Sequence, residues 1–114
     1  MHVTGNVIDN LAVDLPATVA TPILGANGLD MSGWDTLVVQ IVNLNASHPI
    51  DVITVQESVG SGGFVTSTLA VNPIPASSSS VIRIKETANG RIQILLTPVS
   101  HVSADIHYHT TVVQ

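Results

Sequence analysis

A chain of 114 residues with 10% charged side chains, a net charge of −5 at pH 7 and no cysteine can build one hydrophobic core. It does so without disulfides, a thiol nucleophile or a cysteine-based zinc site. Its only cations, Arg83, Lys85 and Arg91, are too few to neutralise a phosphate backbone, which excludes nucleic acid as a partner. The usual charged fraction is about 25%, and a folded monomer of 11.9 kDa exposes roughly 5,900 Å², so each charge is left with about 540 Å². A surface that poor in charge tends to associate, which points to a subunit whose surface is used in lasting contacts.

The first segment, Asn6–Leu15, reads as extended, with Val7, Leu11, Val13 and Leu15 on one face and Asp9 breaking the stripe. Thr18–Leu24 follows as a strand that Pro22 confines to a sheet edge. Together residues 1–24 are expected to form an N-terminal arm or edge strands, and residues 25–114 a β-sandwich domain. As an arm, Met1–Leu15 would be removable without unfolding the rest, at the cost of association. The opening M-H-V-T-G-N has neither a basic nor an apolar leader region, so no signal peptide is expected.

Beyond the turns at Gly25–Gly28 and Ser32-Gly33, Trp34–Leu44 is apolar on both faces in its middle. Such a strand is central in its sheet or covered from outside, with Trp34 as a plug at its mouth. Asn45–Pro49 is a loop; the sequon Asn45-Ala46-Ser47 in it carries no weight without a secretory signal. Ile50–Ser58 is the next strand, and Gly60-Ser61-Gly62-Gly63 a flexible turn. Phe64–Val71 alternates again, and the Pro- and Ser-rich stretch from Asn72 to Ser80 is an extended connection.

In Val81–Thr97, two alternating runs flank Asn89-Gly90, the strongest short signal for a two-residue hairpin. Ile82 and Ile84 are expected inside and Arg83 and Lys85 outside; Ile92, Ile94 and Leu96 are expected inside, opposite Arg91 and Gln93. The last strand, Val102–Val113, sets Val102, Ala104, Ile106, Tyr108 and Val112 against Ser103, Asp105, His107, His109 and Thr111. Nowhere does a 3.6-residue apolar period appear, and the longest apolar runs are three residues, which excludes a membrane-spanning helix. Three aromatics cannot supply the two girdles of a membrane barrel. About eight antiparallel strands with regular turns predict an all-β fold, a single jelly-roll-like β-sandwich.

Chemistry is sparse. Asp105, His107 and His109 share a strand face at roughly 6.8 Å spacing. They could contribute to a metal shell, but no third and fourth ligand is tied to them by pattern. A polar face turned to water or to another subunit is the preferred reading, and neither a metal nor another cofactor is expected. No serine lies in a G-x-S-x-G elbow and no carboxylate pair stands out, so the chain is not expected to be an enzyme.

The run S-G-W-D-T-L-V-V-Q-I, the Gly-rich turn before Phe64, then I-P-A-S-S-S and R-I-Q-I-L-L-T-P resemble small β-sandwich virion proteins of tailed bacteriophages. The likeness is greatest to capsid decoration (cement) proteins and smaller to tail or fibre adaptors. The resemblance spans roughly Ser32 to Val113 and lies in the layout of strands and turns. It implies a structural subunit, made in the host cytoplasm and carried in the virion, that binds the major capsid protein or other virion proteins and stabilises the shell. It also implies a homo-oligomer, with a trimer favoured, and an arm at Met1–Leu24. The expected interface residues are Val7, Leu11, Val13, Leu15, Asp105, His107 and His109. The alternative is a carbohydrate- or receptor-binding module on a tail fibre or cell surface.

Overall fold

The computed structural model describes residues 2–59, 62–67, 69, 71–85 and 90–113. They form strands β1 (His2–Leu15), β2 (Thr21–Pro22), β3 (Leu29–Asp30), β4 (Thr36–Asn43), β5 (Val52–Val59), β6 (Val65–Thr66), β7 (Ser79–Lys85), β8 (Gly90–Thr97) and β9 (Val102–Val113), with no helix among the described residues. One antiparallel sheet, sheet I, has the order β1-β9-β4-β7. The other, sheet II, has the order β2-β8-β5-β6, with β3 also on β8.

The pairing is nested. β5 pairs with β6, β4 with β7, β2 and β3 with β8, and β1 with β9. The chain is thus doubled back on itself beyond Val59, where Gly62 N–H donates to the Val59 carbonyl at 3.1 Å. The doubled ribbon is rolled into two sheets, which is the jelly-roll arrangement, with β2 and β3 together filling one strand position.

Alternation along the strands makes the core. Leu37, Val39 and Ile41 of β4, Ile82 and Ile84 of β7, and Ala104 and Ile106 of β9 come from sheet I. They meet Ile53 and Val55 of β5 and Ile92, Ile94 and Leu96 of β8 from sheet II, all buried. β4 is central, as its two-sided apolar run predicts, although Val38 and Val42 on its outer face are only half-buried.

Two expectations are corrected here. Asn89-Gly90 does not join two strands of one sheet: β7 pairs with β4 in sheet I, while β8 pairs with β5 in sheet II. The connection crosses from one layer to the other, and its residues 86–89 lie outside those described. An alternating strand shows the same pattern whether its neighbour lies beside it or faces it across the core, so the local signal fixes a reversal and not a pairing.

The second correction concerns the N-terminus. β1 is an edge strand paired with β9 from His2↔Val113 to Leu15↔Val102, and Leu15 is fully buried. Leu15 is therefore core and not interface, and His2–Leu15 takes the edge-strand alternative of the expectation. The predicted stripe holds from Leu11 through Val13 to Leu15, which lie opposite the buried Ile106, Ala104 and Val102, and loses Val7, because register shifts fall between Gly5 and Ile8 and between Ile8 and Leu11. Asn6 sits at φ 45, a left-handed conformation that Asn tolerates better than most residues, and it supplies the first bulge. Its Nδ2 donates to Thr110 Oγ1 at 3.4 Å, and that hydroxyl donates to the Gly5 carbonyl at 2.7 Å. Gly5 has to lack a side chain, because a Cβ there would overlap the Trp34 ring. Trp34 packs half-buried against the core.

Thr18–Leu24 forms a strand only at Thr21–Pro22, on the edge where Pro22 is tolerated, and the described residues of 64–71 form one only at Val65–Thr66. Gln93, expected on the wet face, is 4% exposed. Its Oε1 accepts from Leu24 N–H and Ile94 N–H, both at 3.1 Å, and its Nε2 donates to the Gly25 carbonyl at 2.6 Å. The segment between β2 and β3 thus folds over β8 and is pinned there.

Candidate interaction surface

Among the described residues, the outward side chains of sheet I are exposed or half-buried on all four strands, and their composition follows from register. Across β9, β4 and β7 the outward side chains line up as His109–Val38–Arg83, His107–Gln40–Val81 and Asp105–Val42–Ser79. The bulged part of β1 adds Val7 and Asp9 beside the histidines. Together these form an open groove of about 280 Å³ lined by residues of all four strands. Val7 is 60% exposed and Val81 46%. His107 Nδ1 contacts the Asp9 carbonyl, which ties the middle of the last strand to the bulge.

Of the expected interface residues, Val7, His107 and His109 share this groove, and Asp105 lies one row further along the same face. Leu11 is 38% exposed on β1. Val13 packs partly against the core and also lines a smaller groove of about 170 Å³ with Ala12, Leu44 and Ser103. Gln40, Val81 and Arg83 were not anticipated. Each alternates with buried neighbours and so was readable as outward, but only register shows that they meet the histidines.

Charge on this sheet is divided. Arg83 and Lys85 stand exposed on β7, whereas Asp9 and Asp14 stand exposed on β1. Asp14 Oδ1 accepts from Ser103 Oγ at 2.9 Å and lies 3.5 Å from His101 Nε2. Tyr108 lines the groove, and burial raises its phenol above the usual value. On the other sheet, the hydroxyl and the backbone N–H of Ser32 both donate to Asp30 Oδ1 and hold that carboxyl below its ordinary range.

Among the described residues no group of three or more His, Asp or Glu is placed to hold a metal ion. The groove can offer imidazole, amide and guanidinium hydrogen bonds above an apolar floor, a combination suited to contact with another protein surface. The chain matches no protein-family model, and a search of curated proteins finds no relative.

Proposed function

We propose that the protein is a non-enzymatic structural subunit of a virion, a decoration subunit that self-associates and binds an assembled capsid shell. The observation that carries this reading is the outer face of sheet I, a grooved jelly-roll surface on which exposed Val7 and Val81 stand beside charges of both signs. Many small contacts repeated over a shell add up, because a subunit that binds only the assembled state stabilises that state by mass action.

The carbohydrate-binding alternative draws less support. Glycan sites favour exposed aromatic platforms, and Trp34, Phe64 and Tyr108 are each half-buried. A Cβ at Gly28 would overlap the Phe64 ring much as one at Gly5 would overlap Trp34, so two of the three rings are seated on glycines. The test is density-gradient fractionation of lysate from the cells that make the protein, probed with an antibody to the chain. Migration with full particles, and loss of particle heat resistance when the subunit is stripped, is the expected result. Recovery only as free protein, together with glycan-array binding, would replace the reading with the alternative.

A further inference from the structure

The two outer strands of sheet I carry opposite charges. On β7, Arg83 and Lys85 are exposed beside a slot of about 240 Å³ lined by Leu69, Val71, Val81 and Arg83. On β1, Asp9 and Asp14 are exposed, and the bulge after Gly5 leaves Val7 standing 60% exposed. Within one copy these edges never meet. Strands lie about 4.8 Å apart, so β1 and β7 are separated by roughly 14 Å across β9 and β4, well beyond the ~8 Å screening length of physiological salt.

Charges on a sheet edge ordinarily keep copies apart. Here they do so selectively. A β7–β7 contact would set Arg83 and Lys85 against themselves, and a β1–β1 contact would set Asp9 and Asp14 against themselves. Only a β1–β7 contact between copies brings unlike charges together. It also brings the protruding Val7 of β1 to a slot with room for it.

We infer that β1 of one copy docks head-to-tail on β7 of the next, with Val7 entering the slot beside Val81 and Leu69 while Arg83 and Lys85 face Asp9 and Asp14. Head-to-tail contacts close into a ring when the rotation permits, and the ring is the homo-oligomer. The inference rests on the self-association included in the proposed function, and names its contact.

The test is sedimentation of the purified full chain at physiological and at high salt. Wild type should run as an oligomer that salt weakens. R83E/K85E and D9K/D14K should each fall to single-chain mass with an unchanged β-sheet circular dichroism spectrum. The fully exchanged R83E/K85E/D9K/D14K chain should recover the oligomer with itself. A single-chain mass for wild type overturns the contact, while the gradient experiment above still decides shell binding on its own. An oligomer that both half-exchanged variants retain overturns it too, leaving self-association through another surface. Failure of the full exchange to recover the mass lost in both half-exchanges overturns the charge-paired geometry.

Discussion

Replacing Leu15 by Ala separates a core strand from an arm. Leu15 is fully buried beside Val102, its partner across the β1–β9 ladder, so truncation removes three buried carbons and leaves a cavity. Leu→Ala at such sites costs 2–5 kcal/mol, and about 3 kcal/mol is the expectation here. Against a total of roughly 5–15 kcal/mol for a domain that is a large fraction, and it lowers Tm by roughly 10–20 °C for a chain near 100 residues. Denaturant unfolding, followed by Trp34 fluorescence and circular dichroism at one fixed subunit concentration, measures it; fixing the concentration removes the contribution of self-association. Val7→Ala, at an exposed position on the same strand, should cost under about 1 kcal/mol and act instead on the oligomer mass. A Leu15→Ala chain within about 0.5 kcal/mol of wild type would refute the placement of β1 in the fold, and with it the register that builds the groove.

Gln93→Leu leaves the Leu24 N–H and the Gly25 carbonyl without their side-chain partner, so it should cost about 2–4 kcal/mol and raise protease cleavage in the 23–28 segment; unchanged stability would mean that segment is not pinned by Gln93. Ser32→Ala should return the Asp30 carboxyl toward its ordinary titration range, as read by carboxyl carbon NMR. Because the folded value is depressed, the stabilisation it brings is present above the ordinary carboxylate range, is lost as pH falls through the folded value, and should be reduced in the variant, which keeps only the backbone N–H donor. Tyr108 is the one tyrosine, so ultraviolet absorbance titration reads it alone. With its folded value raised above 10.0 by burial, its contribution to stability is complete below pH 10 and fades as pH rises through the folded value, and Tyr108→Phe should flatten that alkaline limb.

Most strands were legible because an apolar–polar alternation is a local property that burial on one face imposes directly. β4, β7, β8 and β9 could be written down from Leu37-Val39-Ile41, Ile82-Ile84, Ile92-Ile94-Leu96 and Ala104-Ile106 before any partner was known. What alternation does not encode is which strand lies beside which. Asn89-Gly90 is a sound turn signal placed at a crossing between layers, and the true fold-back point of the ribbon lies beyond Val59, beside glycines that announce flexibility and not pairing. Gln93 follows the alternation and is nevertheless buried, because the β2–β3 segment returns over it, and nothing near residue 93 announces that return.

The candidate surface shows the same division more sharply. That His107 and His109 share a face follows from a period of two, but their neighbours Gln40 and Arg83 come from positions more than twenty residues distant, brought in by ladders that no local pattern specifies. β1 fails for a different reason. A strand stripe survives only while register is kept, and each bulge inserts a residue that turns the following side chains over. Val7 therefore points out of the fold, while Leu11, Val13 and Leu15, an even number of residues further on and in unbroken register with the buried Ile106, Ala104 and Val102, face the core. Gly5-Asn6, a pair suited to a left-handed kink, was the one local trace of the first bulge. A strand with a buried end and a protruding middle can be fixed in its own fold and still present side chains to a neighbour. Core strand and contact strand are therefore not alternatives for β1, and its bulges are what allow it to be both.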